Sequence, residues 1–183
     1  MARTIALLFF LVVCSAAAMR AQAPAPKPDP ALKKLSVLVG HWTYEGEYNA
    51  GPLGPAGKHT GEMTCQMILG RFFLQCRVTE KGPMGEWRAF GMFGYDPANK
   101  NYPDQFYMDN GSCLSGVYTV SGNKWTWAAK WPVGEKEYQA RGTHTLAADS
   151  MSMVDKAEIS VDGETWSPLR EGKWTKAKPA AKK

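Results

Sequence analysis

From His41 onward the apolar and polar positions of the chain alternate with a period of two. Trp42, Tyr44, Gly46 and Tyr48 share one parity, and Thr43, Glu45 and Glu47 take the other. That is the pattern of a strand with one buried face. The alternation recurs almost to the end of the chain, broken by clusters of Gly, Pro, Asn, Asp and Ser. It predicts strands over 41–48, 58–69, 72–79, 87–95, 105–109, 114–121, 124–131, 137–146, 151–161 and 169–176. No helical stretch separates these segments, and a parallel sheet needs long crossovers. The fold class is therefore all-β, an antiparallel meander. About ten strands with short connections suit a closed up-and-down barrel, which leaves no exposed edge. Ahead of the strands the period changes. Leu32, Leu35, Leu38 and Val39 make one apolar helical face. Asp29 and Pro30 supply an N-cap and a first-turn proline, and Gly40 a stop. A short helix capping one end of the barrel is expected.

The local pattern is sharpest around Gly70-Arg71. Met63, Cys65, Met67 and Leu69 share a face on one strand; Phe72, Leu74, Cys76 and Val78 share it on the next. A two-residue turn with Gly first pairs Leu69 with Phe72 and so sets Cys65 opposite Cys76. At that cross-strand distance a disulfide is geometrically possible. The alternative is two small buried hydrophobes. Cys113 is left over, and no local pattern supplies it with a base.

The ends of the chain change the picture further. Arg3, an apolar run over 5–13 and small residues over 15–18 follow the order of a secretory signal. The run is shorter than the roughly 18–20 residues of a bilayer span, so no transmembrane span is expected. Residues 1–23 are read as a signal peptide, with cleavage after Ala18 as the alternative, because Pro24 follows Ala23. Export to the periplasm or exterior is the expected localisation, and it permits a disulfide. Residues 11–14 approach a lipoprotein box at Cys14, but Val13 stands where a small residue is wanted. A Pro-rich spacer covers 24–30, the barrel domain 31–176 and a basic tail 177–183. Cleavage after Ala23 removes Arg3 and Arg20, lowering the net charge from +5 to +3. Much of the remainder sits in the tail, which disfavours a nucleic-acid partner despite the basic composition.

Gly40-His41-Trp42 is a Gly-x-Trp motif at the entry to the first strand. It resembles that of the lipocalin-like, or calycin, barrels. In those, such a Trp closes one end and an Arg or Lys from a late strand packs across it. The resemblance gives Trp42 and Arg170 structural roles, with Lys173 as the other candidate; Arg170 shares parity with Trp174. Residues 35–42, 68–74, 91–97 and the 162–166 turn are similar to a bacterial family known as domain of unknown function 1579. One glycine, Gly70, precedes Arg71 where that family often has two. The resemblance implies a lipocalin-like barrel and brings no established activity. The related nitrobindin barrels bind haem through a histidine near the C-terminal end. Here the last histidine is His144 and the final two strands carry none, so no haem, and no other cofactor, is expected.

Chemistry-bearing motifs are few. His41, His59 and His144 are too scattered to propose a zinc site, and no metal is expected. Ala98 stands where a calcium loop at 96–101 needs an oxygen ligand. Nucleophile elbow, P-loop and dinucleotide fingerprint are absent, so no catalytic residue is assigned and an enzyme is not expected. Asp155 is the one acid placed on an inner face. The inward parity also carries Trp87, Phe93, Phe106, Trp125 and Trp174. Tyr44, Tyr95, Tyr118, Trp127, Tyr138, His144 and Asp155 are the candidate ligand-binding residues: apolar rings with sparse polar anchors. The expectation is a barrel that binds a small apolar or amphipathic molecule. The alternative is a filled barrel acting as an envelope structural or interaction module, docking through the Gly-rich 49–57 loop, and a calycin-type enzyme is the lesser alternative.

Overall fold

The computed structural model describes residues 26–133 and 135–177. The signal segment, the lipoprotein-like Cys14 and the tail beyond Ala177 lie outside the described residues, as do the first two residues of the spacer. Pro30–Leu38 forms a 3₁₀ helix, with the Asp29 carboxylate accepting from the Ala31 N–H at 2.8 Å. Its buried residues are Leu32, Leu35 and Leu38.

Ten strands follow among the described residues: β1 (Gly40–Tyr48), β2 (Gly57–Ile68), β3 (Phe73–Gly82), β4 (Gly85–Phe93) and β5 (Tyr102–Met108) make the first half. β6 (Cys113–Ser121), β7 (Lys124–Val133), β8 (Lys136–Leu146), β9 (Ser152–Ser160) and β10 (Ser167–Lys176) make the second. Each pairs antiparallel with its neighbour in sequence, and β10 returns to β1 from Trp42↔Lys176 to Tyr48↔Arg170, closing the barrel. The predicted all-β meander is this barrel.

Two details of the sequence reading are corrected. The β2–β3 connection is not a two-residue turn closed by Leu69 and Phe72. Ile68 and Phe73 are the last pair, and Leu69–Arg71 form a 3₁₀ turn with φ of 49°, 66° and 71° at Leu69, Gly70 and Arg71. Leu69 consequently points to solvent at 69% exposure. The longer loop preserves the register, so Cys65 still faces Cys76. The two are joined in a disulfide with Cα atoms 4.1 Å apart. The second correction concerns Arg170, which does not lie across Trp42. Lys176, also on β10, takes that place, its Nζ 5.2 Å from the Trp42 ring centre and donating to the Val37 carbonyl at 3.0 Å. Lys173 has the opposite parity and is exposed. Trp42 itself is fully buried and donates its Nε1–H to the Leu38 carbonyl at 2.8 Å, binding the helix to the barrel mouth.

Side chains fill the lumen in two clusters. Leu35, Leu38, Trp42, Leu74, Phe93, Trp125 and Trp174 pack at the helix end. Tyr48, Tyr138, Ala157, Ile159 and Leu169, with Leu53, Trp127 and Trp131 against them, pack toward the other end of β1.

Candidate functional site: a lumen cavity with paired and unpaired charge

Where the two clusters meet, a cavity of about 140 Å³ remains. Phe93, Phe106, Tyr118, Trp127 and Trp174 contribute rings to its wall, and Glu80, Asp104, His144 and Arg170 contribute the ionisable groups.

Space at this level comes from glycines set beside large inward side chains. A Cβ on Gly116 of β6 would lie 2.6 Å from Asp104 Oδ1, and one on Gly142 of β8 would lie 2.7 Å from the Trp127 indole. Such contacts are far inside van der Waals distance. Only glycine lets Asp104 lean toward β6 and the indole lie flat over β8.

One wall carries a compensated ion cluster. Arg170 of β10 donates Nη1–H to Glu80 Oε2 of β3 at 2.9 Å, and its Nε lies 2.9 Å from Asp155 Oδ2 of β9. His59 Nε2 of β2 stands 2.7 Å from the same Glu80 oxygen, and His144 Nε2 of β8 stands 3.0 Å from Asp155 Oδ1. These two ring contacts, like the Arg170 Nε–Asp155 contact, are at ion-pair distance without hydrogen-bond geometry. His59 and Asp155 are both fully buried. Burial works to raise the Asp155 carboxyl, yet the Arg170 guanidinium, with His144 and His59, outweighs it and holds the group below the usual carboxylate range. Burial alone would weaken Arg170 as a base, but Asp155 and Glu80 hold its charge in place. The guanidinium also lies 5.7 Å from the Tyr44 ring centre.

The opposite wall is different. Asp104 on β5, between Phe93 of β4 and Gly116 of β6 in the register, is 7% exposed. Its Oδ1 has no hydrogen-bond partner. Desolvation pushes its carboxyl up to about 7. Trp127 Nε1 and the Tyr44 hydroxyl are likewise buried without partners. Burial raises Tyr118 above its ordinary value, and the neighbouring Asp104 and Asp155 charges add to it.

Of the residues expected to bind a ligand, Tyr118, Trp127 and His144 line the cavity. Tyr44 and Asp155 are buried beside it and do not line it. Tyr95 falls past the end of β4 and packs on Tyr102 near the helix, at 5.1 Å between ring centres. Tyr138 belongs to the far-end cluster. Arg170, expected to be structural, lines the cavity.

Asp155 is not the sole inward acid, since Glu80 and Asp104 also face the lumen. Both were detectable by parity. Glu80 continues the Leu74, Cys76, Val78 series, and Asp104 stands two residues before Phe106. The predicted strands stopped at 79 and started at 105, one residue short in each case. His59 has the parity of Met63 and Cys65, and the register that sets Cys65 opposite Cys76 also sets Gly61 opposite Glu80, which leaves His59 diagonal to that carboxylate. Cys113 lies on the outer parity, accepting from Gln105 Nε2 at 2.8 Å, away from the lumen groups. Among the described residues no cluster of three potential ligands could hold a metal ion.

A family model described as protein of unknown function (DUF1579) matches residues 27–179, which takes in every strand and the capping helix. The chain belongs to this family. No curated protein sequence matches it. Among solved structures, Rv2717c from M. tuberculosis is similar, with a TM-score of 0.60 and 14% identity, over 83% of this chain and 100% of that one. The S-type phycobiliprotein lyase CPES from Guillardia theta is similar with a TM-score of 0.51 and 8% identity, over 82% of this chain and 93% of that one. At these identities the likeness is one of fold, a calycin-like barrel. In this DUF1579 member Trp42 seals the helix end of the barrel.

Proposed function

We propose that this DUF1579 protein is an exported, non-catalytic binding protein that takes a small apolar or amphipathic molecule into its barrel lumen. The observation that carries this reading is the cavity of about 140 Å³ between aromatic walls. An apolar cavity of roughly 150 Å³ is enough for benzene, whereas drug-sized ligands occupy about 300–1,000 Å³. The occupant is therefore of the size of a single substituted ring; a long acyl chain would need the lumen to widen. Export is supported by the signal-like residues 1–23 and by the Cys65–Cys76 disulfide, a bond that suits an oxidising compartment. The absence of catalysis is supported by the outward position of Cys113 and by the mutual engagement of Arg170, Glu80 and Asp155.

The alternative of a filled structural barrel needs a lumen with no room beyond a water molecule. Titration of intrinsic Trp fluorescence with benzyl alcohol and cyclohexanol, which do not emit in the Trp range, separates the two, because Trp127 and Trp174 face the cavity. A saturable change with at least one neutral probe is expected. No saturable response to either would overturn the reading.

A further inference from the structure

Arg170, the one cation lining the cavity among the described residues besides the titratable His144, is already held by two carboxylates. Its single positive charge is already matched by two negative ones. Asp104 is the reverse: a buried carboxyl oxygen with no partner, on the cavity wall, ringed by aromatic neighbours. Phe93 of β4 is its direct register partner. Phe106 stands edge-on to Phe93 at 5.5 Å between ring centres, and Tyr118 lies 5.7 Å from the same Phe93 ring. A buried polar group without a partner is costly, and aromatic faces attract cations. A carboxylate and π-faces at one spot therefore match one chemistry of ligand.

We infer that the lumen ligand is a small organic ammonium ion, its nitrogen against Asp104 and its apolar body among Phe93, Phe106 and Tyr118. This rests on the binding reading above and names the charge that reading leaves open. A cation gives Asp104 the counter-charge it lacks and keeps it ionised near neutral pH. An anionic ligand of the same size meets the carboxylates of Asp104 and Glu80, and the Arg170 charge is already matched by Glu80 and Asp155. The titratable groups around Asp104 are Tyr102 on its own strand and Tyr118 on β6. β4 presents only Phe93 and Gly91 in the facing register, and Glu80, His144, Asp155 and Arg170 complete the lumen.

Three probes of near-equal size test this: benzylamine, benzyl alcohol and benzoate, which are positive, neutral and negative near pH 8. An alkylammonium, like the lysine side chain, keeps its charge well above neutral. Isothermal titration at about pH 8 is expected to rank benzylamine at least about tenfold tighter than benzyl alcohol, with benzoate weakest. Lowering the pH to about 5.5 protonates Asp104, which titrates near 7, and should shrink the benzylamine preference while leaving benzyl alcohol unchanged. Asp104→Asn should abolish the preference at both pH values and still bind benzyl alcohol, which also shows that the variant is folded. If benzyl alcohol binds and benzylamine binds no tighter, or if Asp104→Asn keeps the preference, the ammonium assignment is wrong and the binding reading stands. If none of the three binds, both fail.

Discussion

The β9–β10 wall and the β5 wall of the same lumen handle buried charge in opposite ways. On the first, Arg170 touches Glu80 and Asp155, and each carboxylate has a histidine beside it. Both carboxylates there are in contact with the same guanidinium. On the second, Asp104 stands among rings with an unpartnered oxygen. The first wall has the form of a structural device: removing one member would strand the others, which is why buried pairs resist single truncation. The second has no counter-charge in contact, and a backbone hydrogen bond offsets only part of its desolvation. Where a carboxyl is kept in such a setting, the interaction that completes it is expected from outside the chain.

Breaking the first wall should have the largest effect. Arg170→Met leaves Glu80 and Asp155 buried without their guanidinium and is expected to destabilise the protein by about 3–5 kcal/mol at neutral pH, read by urea denaturation. A loss below about 1 kcal/mol would mean that the histidines alone suffice as counter-charges.

Next is the opposite pH behaviour of the two walls. Asp104 titrates near 7 in the fold, against an ordinary value of 3.8. Its contribution to stability is fully present below the unfolded value and is lost as pH rises through about 7. Asp104→Asn is therefore expected to match the parent near pH 4 and to exceed it by on the order of 2–4 kcal/mol near pH 8. Asp155 has the reverse sign, because its folded value is depressed. Its contribution is present above the ordinary carboxyl range and is lost as pH falls through the depressed value. Equal stability of parent and Asp104→Asn at pH 8 would erase the contrast between the walls.

The smallest effect sharpens the boundary of the ion cluster. The Tyr44 hydroxyl is buried without a partner while its ring stays near Arg170. Tyr44→Phe removes a desolvated group and keeps the ring, so thermal denaturation should show a change within about 1 kcal/mol, on the stabilising side. A clear loss would make the hydroxyl a member of the cluster.

The fold was far more legible in the sequence than the site. Period-two alternation with a turn every few residues specifies strands and faces, and the parity of Cys65 and Cys76 survived an error in the turn between them. It survived because lengthening a hairpin loop symmetrically leaves the pairing register unchanged. The lumen chemistry was harder to read, because parity tells which way a side chain points but not which strands meet across the barrel. Glu80 and Arg170 are 90 positions apart in the chain, and it is the β1–β10 seam that brings them to one side of the lumen. Parity also cannot say that Lys176, rather than Arg170, reaches Trp42. That depends on the height of each residue in the barrel, where Tyr48 and not Trp42 is the register partner of Arg170.

Closure by β1 and β10 has a consequence for how the molecule is made. The seam joins residues as far apart as Trp42 and Lys176, the kind of contact whose long loop must be closed before any stabilisation is returned. The strand that completes the seam also delivers Arg170, the cation for carboxylates set in place by β3 and β9. A chain that stops short of β10 lacks more than one strand: Glu80 and Asp155 are left without the guanidinium they share. Assembly is thus coupled to arrival of the C-terminal strand, and partly synthesised or trimmed barrels are poor intermediates to accumulate.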